Sequence, residues 1–167
     1  MTKRARYMAQ AAVIAAMYVG LTHFQNLLFP NSASFAVQFR ASEALCVLAM
    51  FTPSAISGLS IGCFLFNLTF AGALPLDPLV GTLATFCSVG SMYLLRRKTL
   101  PALLMPALFN AFLVGWELTL YLGGGFWLNA FYVALGEAAV LLTLGRILWG
   151  VIKKHGLDRR LFGDCAH

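Results

Sequence analysis

Charge is scarce in this sequence. Only 11% of its 167 residues are charged, and between residues 7 and 95 the Lys, Arg, Asp and Glu side chains are limited to Arg40, Glu43 and Asp77. Hydrophobic residues make up 60% of the chain, and its mean hydropathy is +0.80. A soluble domain carries about 25% charged residues, so this composition excludes an ordinary soluble fold and predicts an integral membrane protein.

Motifs for metal binding, disulfide pairing and nucleotide hydrolysis are also missing. The four cysteines show no C-x-x-C spacing, so neither a disulfide framework nor a metal site is expected, and no cofactor is predicted. The chain contains no Walker motif. Its net charge of +6 comes from basic residues beside apolar segments, without interleaved aromatic residues. That arrangement indicates membrane topology rather than nucleic-acid binding.

The apolar segments predict one all-α transmembrane domain over residues 1–167. Proline, glycine and basic residues mark the ends of six helices, at residues 5–28, 39–51, 53–70, 78–95, 100–122 and 128–152. With both termini in the cytoplasm, eleven of the twelve Lys and Arg residues lie at cytoplasmic helix ends, and only Arg40 lies outside. This distribution follows the positive-inside rule and predicts a multi-pass protein of the cell membrane.

Carboxylates within the apolar segments are the strongest pointers to function. In the six-helix arrangement they fall in the outer half of the membrane, together with one arginine and one or more amides, which predicts a pocket that opens outward. One arginine cannot neutralise three glutamates, so at least one glutamate is expected to be protonated, hydrated or available to a ligand rich in hydrogen-bond donors. The candidate binding residues are Arg40, Glu43, Asn67, Asp77, Asn110, Trp116, Glu117 and Glu137.

Each candidate also has a purely structural interpretation. Arg40 and Glu43 are three residues apart and can pair with each other. Asp77 precedes Pro78 and can cap a helix. Asn67 and Asn110 can link helices by hydrogen bonds. Trp116 can belong to the aromatic belt at the membrane surface rather than stack on a flat ligand.

The first helix carries small residues at a spacing that permits close helix contact. Ala11 and Ala15 form one pair four residues apart, and Ala12 and Ala16 form a second. Small side chains at this spacing let another helix approach closely. Gly58 and Gly62 repeat the spacing on the third helix.

Several of these segments together resemble the QueT family, whose members are substrate-binding S components of energy-coupling factor (ECF) transporters. The similar segments run from residue 40 to residue 137: Arg40-Ala41-Ser42-Glu43-Ala44-Leu45, Gly62-Cys63 with Asn67, Asp77 with Gly81-Thr82-Leu83-Ala84-Thr85, Pro106 with Asn110-Ala111, Gly115, and Gly136-Glu137. The A-x-x-x-A face of the first helix adds to the resemblance.

The resemblance implies uptake of queuosine precursors or salvage products, that is, 7-deazaguanines such as queuine or the 7-aminomethyl and 7-cyano bases. It also implies a transmembrane coupling subunit and two ATPase subunits as partners, with Ala11, Ala12, Ala15 and Ala16 as the docking face. Three other hypotheses stay open. The first is an S component for another vitamin-like molecule. The second is an intramembrane enzyme with Glu117 or Glu137 as base, which no His/Cys/Asp cluster in the sequence supports. The third is a purely structural membrane subunit.

Overall fold

Every element of the protein is helical in a computed structural model that describes residues 2–29 and 40–158. The predicted all-α fold is therefore confirmed, and each predicted helical segment is present with ends within two residues of those expected. The helices are α1 (Lys3–Leu28), α2 (Ala41–Met50), α3 (Ser54–Thr69), α4 (Asp77–Leu94), α5 (Thr99–Leu122) and α6 (Phe126–Lys154).

The exterior of the bundle is apolar, as expected of a protein surrounded by lipid. Large hydrophobic side chains such as Leu27, Leu94 and Trp127 are three-quarters or more exposed. Three helices, α1, α5 and α6, are long and apolar enough to cross a membrane. The chain is thus a helical membrane protein, while six spans with both termini in the cytoplasm remain a prediction.

Helix α2 differs from the ordinary helix that its sequence suggests. It is a ten-residue 3-10 helix, whose first and last turns close with hydrogen bonds from Glu43 N to Arg40 O and from Phe51 N to Leu48 O, both 3.0 Å long. At about 2.0 Å per residue it is about 20 Å long, too short to cross a hydrocarbon core of about 30 Å. Residues 42–50 are all buried, and α2 contacts every other helix of the described chain. It therefore forms the centre of the bundle rather than part of its wall.

Small residues bring α1 and α3 into close contact. A Cβ atom added to Gly58 would lie 2.7 Å from the carbonyl oxygen of Ala11, and one added to Gly62 would lie 2.9 Å from the Cβ atom of Tyr18. Ala15 also packs beside Gly62. Close approach of backbones at small residues maximises van der Waals contact between helices in lipid.

Two further glycines let neighbouring helices approach beside the polar residues. A Cβ atom on Gly115 of α5 would lie 2.9 Å from the Cα atom of Ala130 on α6. One on Gly81 of α4 would lie 2.7 Å from Nδ2 of Asn67 on α3. Larger side chains at these two positions would push apart the helices that carry the candidate site.

Basic residues gather at one end of the bundle. The hydroxyl of Tyr7 on α1 lies 3.0 Å from Ser57 near the start of α3, and Lys153 near the end of α6 lies over the ring of Phe51 at 5.2 Å. The start of α5 and Arg146 of α6 line a common cavity. This end of the molecule is the one that the charge distribution predicts to face the cytoplasm.

Candidate functional site

Four buried carboxyl groups surround one arginine in the interior of the bundle. Arg40 and Glu43 lie at the start of α2, Asp77 begins α4, Glu117 lies on α5 and Glu137 on α6; each is at most 7% exposed. Arg40 interacts electrostatically with all four of these carboxyl groups. Four of the six acidic residues of the chain therefore lie around the one basic side chain that the sequence places away from the cytoplasmic helix ends.

Each of the two carboxyl oxygens of Glu43 accepts a hydrogen bond. Tyr18 on α1 donates its hydroxyl to Oε1 at 2.5 Å, and the thiol of Cys46 donates to Oε2 at 3.1 Å. The 3-10 geometry of α2 explains the second contact, because residues three apart in such a helix lie directly above one another and Glu43 and Cys46 therefore share one edge. The sequence did not indicate Tyr18 or Cys46 as part of the cluster, since an aromatic residue and a thiol in an apolar helix usually serve packing.

A polar face of α1 holds the start of α2 in place. Thr22 donates its hydroxyl to Ser42 at 2.8 Å, and Gln25 accepts the backbone N–H of Ala41 at 2.7 Å. Together with Tyr18 these side chains are spaced by four and three residues, so they lie on one side of α1. Polar residues at this spacing in an otherwise apolar helix are the sequence signal for the contact between α1 and α2.

Asp77 and Asn67 organise the junction between α3 and α4. The carboxylate of Asp77 accepts the backbone N–H of Leu74 at 2.7 Å and so closes the turn before α4. Asn67 donates its amide to the carbonyl oxygen of Asp77 at 3.0 Å. The bond of Asn67 links two helices, as anticipated, whereas Asp77 does not cap α4, because its carboxylate accepts from the turn before the helix. Oδ1 of Asn67 is buried and accepts no hydrogen bond within the described ranges.

Only one of the two carboxyl oxygens of Glu137 accepts a hydrogen bond from the described residues. Asn110 on α5 donates its amide to Oε1 of Glu137 at 3.0 Å. The second oxygen, Oε2, is buried, and no donor in the described part of the chain reaches it. Asn110 thus links α5 to α6 and leaves one acceptor of Glu137 available.

Glu117 is the most unusual residue of the cluster. Its side chain is 0% exposed, and among residues 2–29 and 40–158 no donor reaches either of its carboxyl oxygens. Its carboxyl group interacts with that of Asp77 and with the guanidinium of Arg40. A buried carboxylate without a hydrogen-bond donor is costly, and either a proton shared with Asp77 or a ligand rich in donors would offset this cost.

The aromatic ring that lies beside Arg40 is that of Phe66 rather than that of Trp116, which the sequence suggests. Trp116 is 48% exposed, so the structure does not bury it with the carboxylates. Phe66 on α3 is fully buried instead, with the guanidinium carbon of Arg40 lying 5.7 Å from its ring centre. Its ring stacks on Phe70 with centroids 5.2 Å apart and an angle of 16° between planes.

The alanines predicted as a docking face divide into two pairs. Ala11 and Ala15 are buried against α3, so they already serve contact within this chain. Ala12 and Ala16 are exposed. A docking face for another subunit is thereby reduced to the second pair.

A cavity of about 220 Å³ lies elsewhere, at the basic end of the bundle. Its lining residues are Thr99, Leu100, Leu103, Arg146 and Trp149. Arg146 follows Glu137 by nine residues on α6, a separation of about 13 Å along a helix axis. This cavity is therefore separate from the carboxylate cluster.

An apolar exterior around a buried polar cluster defines a helical membrane protein with a polar interior. The family comparison makes the assignment specific. A family model described as QueT transporter matches residues 8–154, and the chain belongs to the QueT transporter family, which confirms the resemblance seen in the sequence. No curated protein and no solved structure matches the chain. Membership assigns the protein to transport of a small molecule across a lipid bilayer rather than to catalysis.

Proposed function

We propose that this chain is the substrate-binding S component of an ECF importer and that it captures 7-deazaguanines, the precursors or salvage products of queuosine. The observation that carries the proposal is a set of four buried acceptor atoms without donors in the described structure: both oxygens of Glu117, Oε2 of Glu137 and Oδ1 of Asn67. A ligand that fits this set must be rich in hydrogen-bond donors.

The chemistry of a guanine-type base meets this requirement. Its ring and exocyclic amine present adjacent N–H donors, which one carboxylate can accept with two parallel hydrogen bonds. The free oxygens of Glu117, Glu137 and Asn67 are acceptors for these donors and for any further N–H groups of the ligand. The buried ring of Phe66 provides an aromatic surface in the same cluster.

A separate surface serves the partners in this proposal. Ala12 and Ala16 form an exposed strip of small side chains on α1, where a helix of the coupling subunit can approach closely. The strip lies towards the basic end of α1, whereas Tyr18, Thr22 and Gln25, which contact α2 beside the carboxylates, lie further along the helix. Docking and ligand capture therefore use different residues, and ATP hydrolysis belongs to the partner subunits.

Calorimetric titration of the purified chain in detergent tests the binding function. We expect at least one of queuine, 7-aminomethyl-7-deazaguanine and 7-cyano-7-deazaguanine to bind, and Glu117→Ala to weaken that binding by about 100-fold or more. The reason is that the donors of the base lose their buried acceptors, at a cost of a few kcal/mol, and each 1.4 kcal/mol corresponds to a factor of about ten.

Leu120→Ala is the matched control, because this residue lies on the same helix and is 58% exposed. It should leave the affinity unchanged. A folded wild-type protein that binds none of the three bases, or a Glu117→Ala variant with undiminished affinity, would contradict the proposed function.

A further inference from the structure

We infer that the site selects its ligand as a cation, with an amine of the ligand held between Glu117 and Asp77. The inference rests on the proposed function and specifies it further: the substrates are amine-bearing 7-deazaguanines, and the neutral nitrile analogue is excluded. It follows from the distribution of charge and of hydrogen-bond donors around Arg40.

Carboxyl groups outnumber the one guanidinium group of the cluster. Four carboxyl groups and one guanidinium interact in the buried interior. In the described ranges, no other Lys or Arg belongs to this cluster. A buried charge without a partner is energetically costly. The electric field of the carboxyl groups, which makes the empty cluster unfavourable, therefore stabilises a positively charged ligand there.

The hydrogen bonds show which carboxyl group lacks donors. Glu43 accepts from Tyr18 and Cys46, Glu137 accepts from Asn110, and Asp77 accepts from the backbone of Leu74. Glu117 alone accepts nothing from the described residues and is completely buried. The carboxyl group without a donor is therefore that of Glu117, and the carboxyl group of Asp77 adjoins it.

A primary ammonium group matches this arrangement. It has three N–H donors and no acceptor, so it can donate to both oxygens of Glu117 and to the carboxylate of Asp77. The flat base then extends towards Glu137 and Asn67, whose free oxygens accept its ring and exocyclic N–H groups. A protonated secondary amine, as in queuine, has two donors and retains the charge.

A nitrile at the same place is rejected for two reasons. It carries no positive charge to offset the carboxylates, and its nitrogen is an acceptor that would face the oxygens of Glu117 and Asp77 without a donor between them. Repulsion of this kind gives specificity that favourable contacts alone do not provide.

The test compares 7-aminomethyl-7-deazaguanine with 7-cyano-7-deazaguanine, which share the ring and differ in the charge of one small substituent. We expect the purified wild-type chain to bind the aminomethyl base at least 100-fold more tightly. Glu117→Gln keeps the size of the side chain and removes its charge, and we expect this variant to reduce the preference to less than 10-fold.

Glu43→Gln is the matched control, since the same change is made to a carboxylate of the same cluster that already has its donors. It should weaken both bases to a similar extent and preserve their ratio. Equal affinity of the wild-type chain for both bases would overturn the charge selection while leaving the proposed function intact, and so would a preference that survives in Glu117→Gln. A wild-type chain that binds neither of these bases nor queuine would overturn both.

Discussion

At the scale of single residues, the scarcity of charge made the carboxylate cluster predictable, whereas its role as a ligand site stays a prediction. In a chain with so few polar side chains, the carboxylates of the apolar segments have few polar partners other than Arg40 and one another. The structure places four of them around Arg40. The donors that support them were not predictable, because Tyr18 and Cys46 join the cluster through contacts between helices. Trp116 was predicted to join the cluster but is exposed. It is next to Glu117 in the sequence, and successive residues of a helix point to different sides.

The bond between Tyr18 and Glu43 predicts a stability effect at this scale. Tyr18→Phe removes the hydroxyl that donates to Oε1 at 2.5 Å and leaves a buried carboxylate oxygen with one donor fewer. We expect a loss of about 1–3 kcal/mol in the free energy of unfolding, measured as a lower midpoint of thermal unfolding in detergent.

Tyr7→Phe provides the control, because Tyr7 is 41% exposed and its hydroxyl contacts Ser57 at the end of the bundle. It should change stability by much less, since water can replace an exposed partner. Equal effects of the two substitutions would show that the bond to Glu43 contributes nothing particular to the fold.

At the scale of elements, helix positions followed from the sequence, whereas the form of α2 did not. Proline, glycine and basic residues end the helices where the pattern of the chain suggests, because these residues act locally on the backbone. The 3-10 geometry of α2 depends instead on its surroundings. Residues 42–50 are enclosed by five other helices, and Gln25 and Thr22 fix its first turn from α1.

The exposed strip on α1 predicts a separation of docking from binding. Replacing both Ala12 and Ala16 with Trp would hold a partner helix away from α1 and remove the van der Waals contact that drives association in lipid. The purified variant should bind its base with wild-type affinity, while the ATPase module no longer co-purifies and cells lose uptake.

Trp at both Val13 and Met17 is the control for added bulk. These residues have the same spacing at the same depth, but they are already large and are 59% and 49% exposed. This control variant should retain uptake. Normal uptake by the Ala12→Trp, Ala16→Trp double variant would show that the strip is not the docking surface.

At the scale of the whole molecule, composition defined the class of protein and the fold explains how that class serves transport. Apolar side chains cover the outside, small residues hold the outer helices together, and a short central helix carries Arg40 and Glu43 into the interior. The basic residues at one end agree with the predicted cytoplasmic face. The proposed ligand specificity depends on a shortage of hydrogen-bond donors around the buried carboxyl groups, which residue counts in the sequence do not show.

Accumulation of a radiolabelled 7-deazaguanine in proteoliposomes tests the central claim most directly. The chain is reconstituted alone, or with a coupling subunit and two ATPase subunits, and ATP is supplied on the side of the ATPases. We predict ATP-dependent accumulation of the base only when all subunits are present, and binding without accumulation by the chain alone. Accumulation by the chain alone, or none by the complete assembly that binds the base, would contradict the account of this protein as the substrate-binding component of an ECF importer.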